Sequence, residues 1–217
     1  MIDTVLFDLD GTIVDTNELI ISSFMNVMNQ PDVSPLTREQ IIPHMGLTLE
    51  QQLRTFSGQD DVTSLVTAYR EYSAIHHDAM VAPFPEVNIV LARLQAEGLK
   101  LGVVTTKIRA TTEKVLKLFE LDQYMQVIIT LDDVEHPKPH AQPIERALEA
   151  LGSSPETTLM VGDSPADLKS AAAAGVRSAG VAWSLKGEAE LSKYKPTYIL
   201  QQMSDLYELV LGDTVDR

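Results

Sequence analysis

Six short runs of apolar and β-branched residues, each of buried-strand length, alternate with helix-like stretches along this chain, and that alternation restricts the fold more than any other feature. The runs lie at residues 4–10, 99–105, 126–130, 157–162, 177–183 and 197–200. Between them, residues 85–96, 111–119, 143–151 and 165–174 carry helical spacing. Three of these helical stretches begin at Pro and are followed by Gly98, Gly152 or Gly175, the expected placement of the two residue types around a helix. Strand and helix in turn predict an α/β domain with a doubly wound, Rossmann-like parallel sheet. At 217 residues and 44% hydrophobic, the chain can enclose a substantial core.

The first two runs are too far apart for one crossover. Residues 16–80 hold no strand-like run, and start signals at Asp15-x-x-Glu18, Thr37-x-x-Gln40 and Thr48-x-x-Gln51 read as capping boxes of successive helices. An all-helical insertion over 16–80 is therefore expected inside an α/β domain made of 1–15 and 81–217. Pro83-Phe-Pro85 would be the return linker.

Seventeen basic against 31 acidic residues give a net charge of −14, which argues against nucleic acid or anionic lipid as partner and favours a small molecule. No apolar run approaches the roughly 20 residues of a membrane span, and no signal-type segment opens the chain, so a soluble, cytoplasmic protein is expected. The absence of Cys excludes disulfides and thiolate ligands. A metal would have to sit on oxygen or imidazole. Oligomeric state is not readable.

In a doubly wound sheet, ligands bind beyond the carboxyl ends of the strands. Those ends carry Asp8-Leu9-Asp10-Gly11-Thr12, then Thr105-Thr106-Lys107, then Lys138, and Gly162-Asp163 with Asp167 four residues on. Residues i and i+2 of a strand project to one side, which places Asp8 beside Asp10. Such a pair can divide the roles of nucleophile and general acid and base, and it offers hard oxygen ligands for Mg²⁺ together with Asp163. Gly11 lets the chain turn and bare its amides, those of Leu9 and Thr12 included. Thr105, Thr106 and these N–H groups can hold phosphoryl oxygens while Lys138 supplies positive charge. A calcium-binding EF-hand starting at Asp8 is excluded, since its sixth and twelfth places hold Ile13 and Leu19.

This order of motifs closely resembles the haloacid dehalogenase-like superfamily over nearly the whole chain, and the helical insertion resembles that family's type-one cap. The resemblance implies an aspartyl-phosphate formed on Asp8, with Asp10 protonating the leaving oxygen and later activating water. It implies Mg²⁺ on the Asp8 and Asp163 carboxylates and the Asp10 main-chain carbonyl, with Asp167 serving the ion from behind its direct ligands. The stretches at 16–24, 132–139 and 180–187 look like an inorganic pyrophosphatase branch, which implies hydrolysis of diphosphate to two phosphates. Phosphoglycolate-type phosphatases share the motifs but differ at Asn17-Glu18. Ile20 stands where sugar-phosphate mutases carry a cap histidine. A non-catalytic phosphate-sensing or partner-binding protein is the rival from another class, and the intact Asp8, Asp10, Lys138 and Asp163 set speaks against it.

A second phosphate needs cationic or N–H donors. Lys107, Arg109 and above all Lys186, each beside a strand end, are candidates, and His44 in the Pro43-His-Met-Gly46 loop is a candidate substrate contact. Adjacent His76 and His77 point about 100° apart on a helix and are expected to form part of a solvated face. One Mg²⁺ with Lys138 would bring the four carboxylates near neutrality and let so acidic a protein accept an anion.

Overall fold

The structure, a computed structural model, describes residues 1–29 and 35–212. Its strands are β1 (Thr4–Phe7), β2 (Val14–Asp15), β3 (Ala82–Pro83), β4 (Lys100–Val104), β5 (Val127–Ile129), β6 (Thr158–Gly162), β7 (Arg177–Val181) and β8 (Tyr198–Leu200). The helices are α1 (Asn17–Met28), α2 (Arg38–Ile41), α3 (Leu49–Ser57), α4 (Thr63–Met80), α5 (Val87–Ala96), α6 (Arg109–Leu118), α7 (Gln142–Leu151), α8 (Pro165–Ala173) and α9 (Glu188–Ser192). Among the described residues, no helix is long and apolar enough to cross a membrane.

The main sheet has the order β5-β4-β1-β6-β7-β8, and every pairing in it is parallel. All six expected strands are present in it. Its interior strands are covered on both faces, which is why they read as continuous apolar runs. Val5, Phe7, Leu101, Val103 and Val161 face one layer with Val90 and Leu94 of α5 and Val115 of α6. Leu6, Val104 and Met160 face the other with Ile144 and Leu148 of α7 and Ala171 of α8. Each of these larger side chains contributes about 1.5–3 kcal/mol by leaving water. The chain winds from β1 to β4 and β5, then crosses back to β6, so winding reverses between β1 and β6. That reversal opens a crevice at their carboxyl ends.

Between β2 and β3 the regular elements of the described residues are helices, and the segment builds its own apolar cluster from Ile21, Phe24, Val27, Ile41, Met45, Leu53 and Val62. Phe24 packs edge-on against Phe56 at 5.1 Å. The expected insertion over 16–80 includes residues 30–34, which lie outside the described residues. β2 and β3 pair antiparallel, Val14 opposite Pro83 and Asp15 opposite Ala82, and form a two-residue stem under the helices. No periodicity can reveal so short a ladder.

One start signal works differently from its sequence reading. The Asp15-x-x-Glu18 capping box does not form, because Asp15 Oδ1 accepts the Asn17 N–H at 3.1 Å and Glu18 makes a two-pronged bond to Arg38 at 2.6 and 2.7 Å. Thr48 and Gln51 do form theirs.

Candidate active site

Asp8 directly follows β1 and continues its pairing, donating its N–H to Val161 O at 2.9 Å. Gly11 then takes φ +82°, and a Cβ there would stand 2.9 Å from Asp163 Oδ2. Only glycine lets the loop after β1 lie this close to the end of β6. Asp8 and Asp10 both reach one cavity, as their spacing predicts, but into different company. The Asp10 carboxylate accepts from Thr16 Oγ1 at 2.7 Å and from Lys107 Nζ at 2.9 and 3.1 Å.

Lys138, only 2% exposed, donates to Asp8 Oδ1 at 2.7 Å, Asp167 Oδ1 at 2.6 Å and Val104 O at 2.8 Å. All three ammonium hydrogens are thereby matched. Asp167 is fully buried, and its second oxygen accepts from Ser164 N at 3.0 Å and Ser164 Oγ at 2.6 Å, closing the first turn of α8. With both oxygens engaged, Asp167 is placed to hold the site from behind, not to offer itself as a ligand.

Asp163 ends β6. Its main-chain carbonyl accepts from Ser184 Oγ at 2.7 Å, and its Oδ2 accepts from Lys186 Nζ at 3.1 Å. Lys186 therefore serves Asp163, and it lines a separate groove with Leu185 and Tyr194 instead of the cavity at Asp8 and Asp10. Thr105 is buried, and its Oγ1 accepts the Lys107 N–H at 3.1 Å, leaving the hydroxyl hydrogen to donate. Thr106 Oγ1 donates to Gly46 O at 3.3 Å, a link from the sheet to the helical insertion.

Four sequence-predicted contacts lie elsewhere. Leu9 and Thr12 are fully buried and absent from the cavity wall, so any contact they make to a ligand runs through the main chain. The Thr12 carbonyl accepts from Trp183 Nε1 at 3.2 Å. His44 also lines neither cavity, because its ring packs edge-on against Phe56 at 5.4 Å. Arg109 is drawn to Asp133 at 2.6 Å and to Ile128 O, away from the carboxylates.

Four carboxylates thus face three ammonium groups, and the deepest part of the site is still short of positive charge. Burial, with the neighbouring Asp167 and Asp163 charges, pushes the Asp8 carboxyl well above its ordinary range against the pull of Lys138. Burial likewise raises Asp163 despite Lys186. Burial alone would depress Lys138, yet Asp167 and Asp8 outweigh it and hold the amine above its usual value. Carboxyls pushed upward by burial and by one another fit a site that takes a cation. Asp8, Asp163 and Asp167 bring oxygens within 4.8 Å of one another, all buried. Of these, the Asp8 and Asp163 oxygens are the hard donors that suit Mg²⁺.

The cavity, about 770 Å³, lies between the sheet's carboxyl edge and the helical insertion, with Asp8, Asp10, Thr105, Lys107 and Asp163 on one wall and Phe24, Gly46, Tyr69, Ser73 and His77 on the other. Sequence reading missed most of this second wall. The i, i+4, i+8 spacing of Tyr69, Ser73 and His77 along α4 is the signal that could have found it. His77 corrects the expectation of a solvated face: it is 3% exposed, whereas His76 turns about 100° away and stacks on Tyr72 at 4.3 Å. Gly46, at φ +99°, brings its Cα so close to Ser164 that a Cβ would lie 2.5 Å from Oγ.

Residues 5–181 match the family described as haloacid dehalogenase-like hydrolase. The chain is 46% identical over 211 residues to the pyrophosphatase PpaX of Bacillus mycoides, covering 96% of this chain and 97% of that protein. Against the pyrophosphatase PpaX of Bacillus anthracis it is 45% identical over 214 residues, covering 98% and 97%. Among solved structures, it superposes on a haloacid dehalogenase-like family hydrolase of Streptococcus pneumoniae with a TM-score of 0.84 and 27% identity, covering 96% of this chain and 98% of that one.

Proposed function

The chain belongs to the haloacid dehalogenase-like hydrolases, and from that membership we propose that it hydrolyses inorganic diphosphate to two phosphates in a Mg²⁺-dependent reaction. The observation that carries the substrate is the 46% identity, over almost the full length of both chains, to a pyrophosphatase.

In this reading Asp8 attacks one phosphorus in line. The Asp8 Oδ–P bond forms as the bridging P–O bond breaks, and Asp10 gives its proton to the departing phosphate. Asp10 then takes a proton from water as that water attacks the aspartyl-phosphate, which frees Asp8 and the second phosphate. Lys138, 2.7 Å from Asp8, compensates charge on the nucleophile, and the Thr105 hydroxyl donates to a phosphoryl oxygen. Lys107 orients the Asp10 carboxylate. Asp8 and Asp163, with the Asp10 carbonyl, are the residues we assign to Mg²⁺, with Asp167 supporting them. When bound, the ion keeps Asp8 ionised and withdraws charge from the phosphoryl oxygens. The helices over 16–80 act as a cap that excludes bulk water.

A second reading is favoured by the cavity itself, which is larger than diphosphate needs and partly apolar at Leu19, Ile20, Phe24 and Leu47. It assigns a small organic phosphate such as phosphoglycolate. Phosphate release from diphosphate, phosphoglycolate and an aryl phosphate, with Mg²⁺ or with chelator, decides between them. The highest kcat/KM on diphosphate supports the first reading; the highest on phosphoglycolate overturns it.

A further inference from the structure

His77 has no part in the reaction just described, yet it is among the least exposed side chains of the cavity wall. Its Nδ1 is 2.7 Å from Asp78 Oδ1, and Asp78 also accepts from Lys114 Nζ at 2.8 Å, an ion pair that joins α4 to α6. Lys114 first and His77 second hold the Asp78 carboxyl below its ordinary range. A carboxylate at Nδ1 fixes that nitrogen as the donor and leaves the opposite edge of the ring, Nε2, for something else. Nε2 is buried and has no hydrogen-bond partner. Buried polar atoms are ordinarily matched, so this one calls for a partner that arrives later.

Three other cations around the cavity are already engaged. Lys107 is on Asp10, Lys114 on Asp78, and Arg54 on Glu50 and the Asp60 carbonyl; Arg70 borders the cavity but is exposed. Lys186 lines the separate groove. While Asp8 addresses one phosphoryl group, the other must find donors on the facing wall, where His77 carries a buried ring nitrogen that has no partner. We propose that His77 is a specificity-determining residue that receives the distal phosphoryl group of diphosphate at Nε2. A phosphoryl oxygen is an acceptor, so Nε2 meets it as N–H. The ring is then an imidazolium held between the Asp78 carboxylate and the phosphate. This assignment rests on the diphosphate reading.

The test compares the wild type with His77→Asn, which keeps an N–H near the Nδ1 position but lacks Nε2, and His77→Gln, which presents an N–H near the place of Nε2. For each, kcat and KM are measured with Mg²⁺ on diphosphate and on p-nitrophenyl phosphate, which has no distal phosphoryl group. The Ki of methylenediphosphonate, a non-hydrolysable analogue of diphosphate, is measured alongside. The asparagine variant should raise KM for diphosphate and Ki for the analogue roughly 10- to 100-fold, as loss of a charged hydrogen bond does. Its kinetics on the aryl phosphate should stay near wild type, and glutamine should recover part of the loss. Equal losses on both substrates, or an unchanged Ki, overturn the assignment while leaving the diphosphate reading intact. A wild type with no preference for diphosphate overturns that reading and this one together.

Discussion

One carboxylate oxygen of Asp167 lies 2.6 Å from the Lys138 ammonium while the other closes the first turn of α8, so a single side chain fastens Lys138 to the start of a helix. Asp167→Asn keeps a cap but removes the charge that compensates a buried lysine. Loss of one partner of a buried pair costs about 3–5 kcal/mol. Urea unfolding should show a loss of that order together with a fall in kcat; a variant as stable as wild type would mean that Asp8 and Val104 O suffice for Lys138.

Lys107 and Asp10 are about one-fifth exposed, and a pair of that kind adds little to stability. Its value lies in orienting Asp10. Lys107→Met is therefore expected to leave the unfolding free energy within about 1 kcal/mol while lowering kcat roughly 10-fold or more. A large drop in melting temperature with normal turnover would reverse the assignment.

Asp8 and Asp163 both hold their protons more tightly than ordinary carboxyls, burial being the leading cause. A carboxyl raised in the folded state contributes stability that is fully present below its unfolded value, about 3.9, and is lost as pH rises through the folded value. Metal-free protein thus pays an increasing penalty on the alkaline side of that point, and Mg²⁺, which favours the ionised form, removes it. The rise in Tm on adding Mg²⁺ should grow as pH goes from about 4.5 toward 8. An increment that stays constant with pH would place the ion away from these two carboxylates.

Gly46→Ala tests the closure of the insertion over the site. The added Cβ would meet Ser164 Oγ at 2.5 Å, and Ser164 cannot withdraw without breaking its bond to Asp167. Strain of about 1–3 kcal/mol should fall on the closed arrangement, lowering kcat/KM roughly 5- to 100-fold with little change in global stability. Steady-state kinetics beside a thermal melt read both. Unchanged kinetics would mean that the loop does not approach Ser164 during turnover.

The strands could be read because residues buried on both faces leave no alternation to misinterpret, and the carboxylates could be read because strand ends in this topology converge. Asp8, Asp10, Lys138, Asp163 and Asp167 come together accordingly. What stayed hidden depends on the third dimension. Nothing local in Ser184-Leu-Lys186 tells that the lysine folds back onto Asp163, and nothing in Pro43-His-Met-Gly46 tells that the glycine, not the histidine, meets the sheet. His77 was legible as one of two neighbours that cannot face the same way. Which of them turned inward was settled by the packing of α4 against α1 and α3.

The stem of β2 and β3 has a mechanical meaning. Two independent linkers would let the helical insertion tilt, twist and slide; two strands joined as a ladder bend together, leaving one easy direction of swing. Thr16 sits at the top of that stem and gives its hydroxyl to Asp10 at 2.7 Å. A swing of the helices on that stem would therefore pass beside the carboxylate we assign to proton transfer and would turn Asp10 with it.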